Sequence, residues 1–317
     1  MGSYLIKRLG QTLIVLIIVS LASYLLLDLL PGAPVYAMYG SEITQEQYEI
    51  YYEELNLDQP LLVRYWDWLK DAMRGDFGIS SLYRQEVSQM LADRLPITMY
   101  LAILSMLIST PLGIFFGLVT AIKKGKWQDT ILTLTANAAV CLPTFWMAIL
   151  LMYVFSLKLG WLPSHGFTWP WVDFGLSIRQ TIIPAFCMAL YSISTYTRMM
   201  RSSMLDVIRQ DYIMTARSKG LPERRINLVH AMKNGMIPVV SAFGVELAHL
   251  VGGSVFVESV FGMQGMGSLL VKAITSRDMP VVQACVLLSA LVSCLAYIIT
   301  DILYALVDPR IQFAKEA

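Results

Sequence analysis

Six long apolar stretches divide this chain, and they constrain its fold more than any other feature of the sequence. About 20 consecutive apolar residues let an α-helix cross the hydrocarbon core of a bilayer, where each backbone amide must find its partner within the helix. The stretches lie at 9–30, 97–122, 131–157, 181–200, 236–257 and 281–307. The sequence therefore predicts an all-α integral membrane protein with six transmembrane helices. A charged fraction of only 15% agrees with this class.

Lysine and arginine are distributed unevenly among the segments that connect these helices. Lys7 and Arg8 precede the first helix, Lys123 and Lys124 follow the second, and Arg310 follows the sixth. The densest basic set follows the fourth helix and comprises Arg198, Arg201, Arg209, Arg217, Lys219, Arg224, Arg225 and Lys233. Because cytoplasmic loops are enriched in Lys and Arg, we expect these segments and both termini to face the cytoplasm.

Residues 31–96 separate the first two predicted helices and differ from them in composition, being acidic and rich in tyrosine and tryptophan. Thr44 with Gln47 matches a capping box at the start of a helix, and a second short helix is expected between Pro60 and Gly75. The tryptophans belong either to an aromatic belt at the membrane interface or to the core of a solvated loop. We expect a small helical extracytoplasmic segment.

The chain is accordingly expected to have three parts. Residues 1–30 are the N-terminus with the first transmembrane helix, and 31–96 are the extracytoplasmic segment. The core domain, 97–317, contains helices two to six together with a cytoplasmic loop at 201–235, which we call the basic loop. The formal net charge of +1 gives no overall attraction to nucleic acid, so we expect no nucleic-acid partner. The apolar stretches indicate that membrane lipid surrounds the helices.

Small residues recur along two of the predicted helices. Lipid tails are as apolar as leucine, so membrane helices associate by close approach, and small side chains mark the faces that meet. At a spacing of about four they are Ser105, Ser109, Gly113 and Gly117 in the second helix, and Gly244, Ala248 and Gly252 in the fifth. We expect both helices to form the core packing of the subunit or of its contact with a partner, with chance alignment as the alternative.

The basic loop carries the most specific signal, in residues 211–222, Asp-Tyr-Ile-Met-Thr-Ala-Arg-Ser-Lys-Gly-Leu-Pro. Residues 210–218 can form a short helix that Gly220 ends, because glycine adopts the left-handed conformation and the following proline prevents continuation. Thr215 and Ala216 keep one face of that helix thin. Such a basic projection suits a groove on a cytoplasmic partner; the alternative is a loop whose charges only fix the topology.

This segment resembles the coupling loop of binding-protein-dependent ABC importer permeases, specifically the dipeptide, oligopeptide and nickel permease family. The resemblance covers nearly the whole chain, and the further motifs in family order are PGAP at 31–34, LDQP at 57–60, GDFG at 75–78, ESVFGMQGMG at 258–267 and DPR at 308–310. One departure stands out. The broader importer pattern begins Glu-Ala-Ala, and this chain has Met214, Thr215 and Ala216 at those places.

The resemblance implies a type I ABC importer permease fold in a prokaryotic plasma membrane. It implies four partners: a second, homologous permease, two ATPase subunits that use ATP and Mg, and an extracytoplasmic solute-binding protein. The solutes of this family include peptides and nickel. The residues implied in coupling to the ATPase are Asp211, Tyr212, Thr215, Ala216, Arg217, Gly220 and Leu221.

The chain contains no G-x-x-x-x-G-K-[ST] sequence to cradle nucleotide phosphates, so we expect a transporter subunit without its own ATPase site or cofactor. The alternatives are a secondary transporter, which usually shows inverted repeats that are not evident here, and a channel subunit. Uptake by this chain alone, driven by an ion gradient, would favour the secondary transporter.

Glu246 and His249 lie three residues apart in the fifth predicted helix, at a depth where ionisable groups are costly unless they face a cavity or a partner. They are the candidate residues of a translocation pathway. Alternatively they pair with each other or hydrogen-bond to another helix. A lone imidazole beside a glutamate does not make a zinc site, so we expect no metal.

Overall fold

The computed structural model describes residues 2–28, 35, 43–54 and 57–307. The described residues are largely helical, with an isolated antiparallel bridge between Ile79 and Glu86, so the predicted all-α class is confirmed. The motifs at 31–34 and 308–310 lie outside the described residues. In chain order the helices are α1 Gly2–Asp28, α2 Gln45–Glu54, α3 Leu61–Met73, α4 Val87–Ile122, α5 Trp127–Cys141, α6 Thr144–Met152, α7 Phe174–Val207, α8 Asp211–Ser218, α9 Glu223–Arg225, α10 Met232–Gly235, α11 Ile237–Ser241, α12 Phe243–Val260, α13 Met266–Thr275 and α14 Met279–Val307.

Two π-helical stretches continue the shorter helices. Tyr153–Lys158 extends α6, and Ile226–Ala231 joins α9 to α10. The chain forms two compact units, Met1–Thr98 with Gln264–Cys294 (unit 1) and Met99–Met263 with Leu295–Ala317 (unit 2).

Within the described residues, five helices are long and apolar enough to cross a membrane: Lys7–Leu25 in α1, Val87–Ile122, Phe174–Val207, Phe243–Val260 and Met279–Ile302 in α14. A sixth crossing exists if α5 and α6 are counted together, and the chain bends by 104° between them. The prediction of one continuous helix over 131–157 is therefore wrong. Pro143 lacks an N–H, and its ring keeps Leu142 in the extended conformation (φ −89°, ψ 129°), which ends α5.

The ends of the long helices also differ from the hydrophobic runs. α4 begins at Val87, before the apolar stretch, and α7 continues to Val207, past the polar residues that follow the apolar stretch. Asp173 caps α7, its Oδ1 accepting from the N–H of Leu176 at 2.9 Å. Backbone hydrogen bonding continues a helix beyond the lipid, so hydropathy marks the membrane-crossing part of a helix and not its ends.

In unit 1, the extracytoplasmic segment begins with the predicted capping box. The N–H of Gln47 donates to Thr44 Oγ1 at 3.3 Å, and the N–H of Thr44 donates to Gln47 Oε1 at 3.0 Å. These two bonds satisfy donors that the first turn of α2 leaves unpaired. The reciprocal pair confirms the helix start that the sequence predicts.

The aromatic side chains of α3 pack on α1, also within unit 1. Tyr65 is 5% exposed, and its hydroxyl lies 2.8 Å from that of Ser20. Tyr24 packs edge-on against Tyr65, with ring centroids 5.7 Å apart, and its ring lies 5.9 Å from that of Trp68. Trp66, by contrast, is exposed. Tyr65 and Trp68 of α3 therefore form an aromatic core with the first helix.

A buried carboxylate fixes the loop before α4 in unit 1. Asp278 is fully buried and accepts hydrogen bonds from the Ser80 hydroxyl and from the N–H groups of Ser81 and Leu82, the last two at 3.2 Å each. The Ser80 hydroxyl also accepts from the N–H of Tyr83 at 2.9 Å. A buried carboxylate is stable when several donors compensate its lost hydration. This group orients residues 80–83.

In unit 2, the predicted small-residue face of α4 meets α7. A Cβ at Gly113 would lie 2.5 Å from that of Tyr196, and a Cβ at Gly117 would lie 2.8 Å from the carbonyl oxygen of Thr197. Ser109 is fully buried. The two backbones therefore approach more closely than any side chain at these positions allows, which is how small residues pack membrane helices.

The small residues of α12 behave less uniformly. A Cβ at Gly244 would lie 2.6 Å from the carbonyl oxygen of Ala296, so the absence of a side chain at Gly244 allows the backbones of α12 and α14 to approach closely within unit 2. Ala248 is partly buried. Gly252 is exposed, and a Cβ there would meet no described atom within 4 Å. Of the three, Gly244 makes the close approach within this chain.

Candidate functional site

The helix predicted in the basic loop is present as α8, and Ile213 is its fully buried side chain. Ile213 is fully buried in a hydrophobic cluster of unit 2. The other buried members of this cluster come from α4, α7 and the chain that follows α8, and are Leu118, Ala121, Tyr196, Met200, Met204, Ile226, Ala231, Val239 and Ala242. Ala216 and Leu221 pack against the cluster. α8 therefore belongs to a hydrophobic cluster that it shares with the membrane-crossing helices α4 and α7.

The opposite side of α8 is open to solvent. Met214 is 57% exposed, and Thr215 and the N-terminal Asp211 are also exposed. Arg217 is exposed as well, but it lies one helical turn after Ile213 and so beside the buried side. The hydroxyl of Thr215 donates a hydrogen bond to the backbone carbonyl of Asp211 at 3.0 Å, so the methyl group of Thr215 remains available at the surface. The exposed face is thus thin, partly apolar and bounded by charges, as the sequence predicts.

Tyr212 links α8 to the end of the basic loop. Its ring is 42% exposed, and its hydroxyl accepts a hydrogen bond from Asn234 Nδ2 in α10 at 2.8 Å. Asp211 occupies the first turn of α8, where a negative charge is favourable beside the unpaired N–H groups of a helix start. Together with Ile213, the Tyr212 bond holds α8 against the returning chain.

Gly220 ends α8 in the manner that the sequence predicts. Its φ is +75°, in the left-handed region that glycine adopts at low cost. The N–H of Gly220 donates to the carbonyl of Arg217 at 2.9 Å, and the N–H of Leu221 donates to that of Ala216 at 3.4 Å. These bonds satisfy two carbonyl groups at the helix end. The predicted helix stop is confirmed.

An exposed ion pair lies beside this stop. Arg217 Nη2 lies 3.3 Å from Glu223 Oε2, and the guanidinium Nε also donates to the other carboxylate oxygen. The hydrogen bond from Arg217 lowers the pKa of the Glu223 carboxyl, and the same bond raises the pKa of Arg217. Both groups are well exposed, so water and salt screen the pair.

A second ion pair, less exposed, joins the start of α5 to α7 in unit 2. Arg201 donates from Nε to Asp129 Oδ1 at 3.1 Å and from Nη2 to Oδ2 at 2.9 Å. Asp129 is 8% exposed and also accepts from the N–H of Gly125 at 3.0 Å and from Thr133 Oγ1 at 3.3 Å. The carboxylate therefore has donors on both of its oxygens.

The two candidate pathway residues are separated by the structure. Glu246 is 3% exposed and accepts a hydrogen bond from the Ser192 hydroxyl of α7, so of the alternatives the bond to another helix is the one realised. His249 lies on the exposed side of α12, and its ring stacks on that of Tyr191 at a centroid distance of 4.3 Å. The two side chains thus have different surroundings.

Comparison with known proteins agrees with the resemblance in the motifs. Residues 113–313 match the model of the family "binding-protein-dependent transport system inner membrane component", and residues 1–102 match that of its N-terminal part. The chain belongs to this family. It is therefore the permease component of an ABC transporter, has the type I fold of that family, and is a multi-pass protein of the inner membrane.

Named relatives match this permease from end to end. A putative peptide transport system permease protein of Brucella abortus (strain 2308) is 41% identical over 314 residues, which are 99% of this chain and 100% of the relative. An oligopeptide transport system permease protein, AppB of Bacillus subtilis (strain 168), is 35% identical over 316 residues with the same coverage. The glutathione transport system permease protein GsiC of Escherichia coli (strain K12) is 36% identical over 313 residues, again with the same coverage.

Sequence reasoning missed three residues that position the candidate sites of this permease. Ile213 was within reach, because it and Ala216 lie three apart and thus on one face of a helix. Asn234 and Ser192 carry no comparable signal. Their partners, Tyr212 and Glu246, lie far away in the sequence, and only the folded chain brings each pair together.

Proposed function

We propose that this permease imports peptides as one subunit of an ATP-driven importer. Its named relatives are peptide, oligopeptide and glutathione permeases, and peptides are the solute class that these names share. Nickel is the second candidate solute, and a secondary transporter or a channel subunit is the alternative function. The chain carries no phosphate-binding loop, so ATP and Mg are used by two separate ATPase subunits.

The geometry of α8 is the observation that carries this proposal. Ile213 places one side of α8 in a hydrophobic cluster that α8 shares with membrane-crossing helices, while Met214 and Thr215 are exposed on the other side. A partner that grips the exposed side therefore moves the transmembrane helices through the buried side. With the basic loop in the cytoplasm, both termini are cytoplasmic as well, and the gripping partner is the ATPase.

A second, homologous permease completes the translocation path, and a solute-binding protein delivers the solute from outside. We assign Glu246 and His249 to this path with different roles. His249, on the exposed side of α12, meets the solute directly, whereas Glu246 contributes through its bond with Ser192. An ionisable side chain on a lipid-facing surface is costly, which favours a cavity or a partner subunit beside His249.

The complete complex in proteoliposomes tests the proposal. We expect uptake of labelled peptides that requires ATP on the ATPase side and the binding protein on the other, and no uptake driven by an ion gradient through this chain alone. Nickel uptake without peptide uptake would reassign the solute. Gradient-driven uptake by the isolated permease would overturn the ATP-driven assignment.

A further inference from the structure

The ion pair between Asp129 and Arg201 has a geometry that fixes two helices to each other. Each guanidinium N–H that takes part meets a different carboxylate oxygen, so the two planes are held in one mutual orientation. Gly125 and Thr133 hold the same carboxylate from the side of α5. A change in the angle between α5 and α7 at this point therefore breaks at least one bond.

Arg201 also lies in the last two turns of α7, shortly before the start of α8. Met200 and Met204, which flank it in α7, are fully buried in the cluster that contains Ile213. Only Ile208–Gln210 separates α7 from α8 along the chain. A displacement of α8 is therefore transmitted first to the segment of α7 that carries Arg201.

We propose that Asp129 and Arg201 are positioning residues that carry the motion of α8 through α7 to the bent pair α5 and α6. The inference rests on the proposed ATP-driven function. Partly buried ion pairs add little to stability compared with apolar packing, but a two-bond pair specifies orientation strongly. Such a pair suits transmission of a movement between helices better than it suits stabilisation alone.

The test compares variants of the complete complex in proteoliposomes by the number of ATP molecules hydrolysed per peptide imported. We expect Arg201→Met and Asp129→Asn to raise this ratio about tenfold, as the loss of charge-assisted bonds predicts. Arg201→Lys keeps the charge but not the two-bond geometry, so its ratio is expected to be intermediate. Arg198→Met is the matched control, since Arg198 is exposed and lies one helical turn earlier in α7.

A merely structural pair would lower the amount of assembled complex without changing the ratio. An unchanged ratio in assembled Arg201→Met overturns the proposal, as does an equal rise in Arg198→Met. If Arg201→Met does not assemble, the ratio of ATP hydrolysed to peptide imported is measured for Arg201→Lys. A raised ratio then supports the proposal, and an unchanged ratio overturns it. Failure of the proposed function itself is distinguishable, because the unmodified complex would then show no ATP-dependent uptake.

Discussion

Two short segments of this permease are held in place by opposite chemistry. In unit 1, residues 80–82 donate three hydrogen bonds to the buried carboxylate of Asp278. In unit 2, α8 is anchored by Ile213 in apolar contact. Hydrogen bonds are directional and costly to leave unmade, whereas apolar contact is not directional. The comparison indicates that residues 80–82 are fixed in one orientation. α8 can tilt about its buried side chain, because the one hydrogen bond described for its attachment, between Asn234 and Tyr212, is exposed to water.

The largest effect is expected from removing the polar anchor. Asp278→Ala leaves the buried Ser80 hydroxyl and the partly buried N–H groups of Ser81 and Leu82 without an acceptor, and should lower the free energy of unfolding by about 4 kcal/mol. Thermal unfolding of the purified protein in detergent and amide exchange at Ser81 and Leu82 measure it. Asp278→Asn keeps one acceptor oxygen and serves as the control with a smaller loss. A loss below about 1 kcal/mol for Asp278→Ala would contradict the claim that the hydrogen bonds to Asp278 fix residues 80–82.

Removing the apolar anchor is expected to cost somewhat less. Ile213→Ala opens a cavity among the buried side chains and should destabilise by about 3 kcal/mol, against about 1 kcal/mol for Ile213→Val. Ile213→Leu conserves volume and should keep both stability and peptide uptake. The comparison fails if Ile213→Leu damages uptake as severely as Ile213→Ala, because α8 would then depend on shape and not on burial alone.

The helix stop offers a sharper test of α8 at a smaller cost in stability. A Cβ at Gly220 would meet no described atom within 4 Å, so Gly220→Ala acts through its φ of +75° alone. The strain is about 1 kcal/mol. Because the strain bends the end of α8, we expect ATP hydrolysis to continue while peptide uptake falls. Gly220→Asn, which tolerates this conformation better, should lie between the two; equal coupling in all three proteins would exclude a role for the stop.

The smallest effect is expected at the exposed ion pair of Arg217 and Glu223. The hydrogen bond from Arg217 lowers the pKa of Glu223 in the folded protein, so the contribution of the pair is present at neutral pH and is lost as the pH falls through that lowered pKa. Glu223→Gln should remove this acid dependence and leave the stability at pH 7 nearly unchanged. Stability curves of both proteins against pH, at low and high salt, measure it. A large loss at pH 7 would show that the pair is not screened.

Hydropathy and end signals predicted most of the helical architecture. The apolar runs located the membrane-crossing segments, because lipid demands helices of that length. The Thr44–Gln47 box and the Gly220 stop were correct because each depends on residues within a few positions. The bend at Pro143 was missed, although its local signal, a proline inside an apolar run, was present in the sequence.

The contacts that position the sites were harder to predict. Asp278 meets residues about 200 positions away, and Arg201 meets Asp129 about 70 positions away. No periodicity in the sequence encodes such pairs, since they arise from tertiary packing. The sequence places Arg201 among the cytoplasmic charges and carries no signal for the bond between Ser192 and Glu246.

The contact of Gly117 with α7 limits how the membrane helices can move. With the carbonyl of Thr197 so near Gly117, α4 and α7 cannot shift past each other by one turn, because the shift would bring Ser109 or Ala121, which carry side chains, to a position that only glycine fits. A smaller displacement along the contact of Gly113 and Gly117 with α7 would also bring side chains against the backbone. During transport we therefore expect the packed parts of α4 and α7 to move together as one rigid body, while the chain bends at the ends of the two helices.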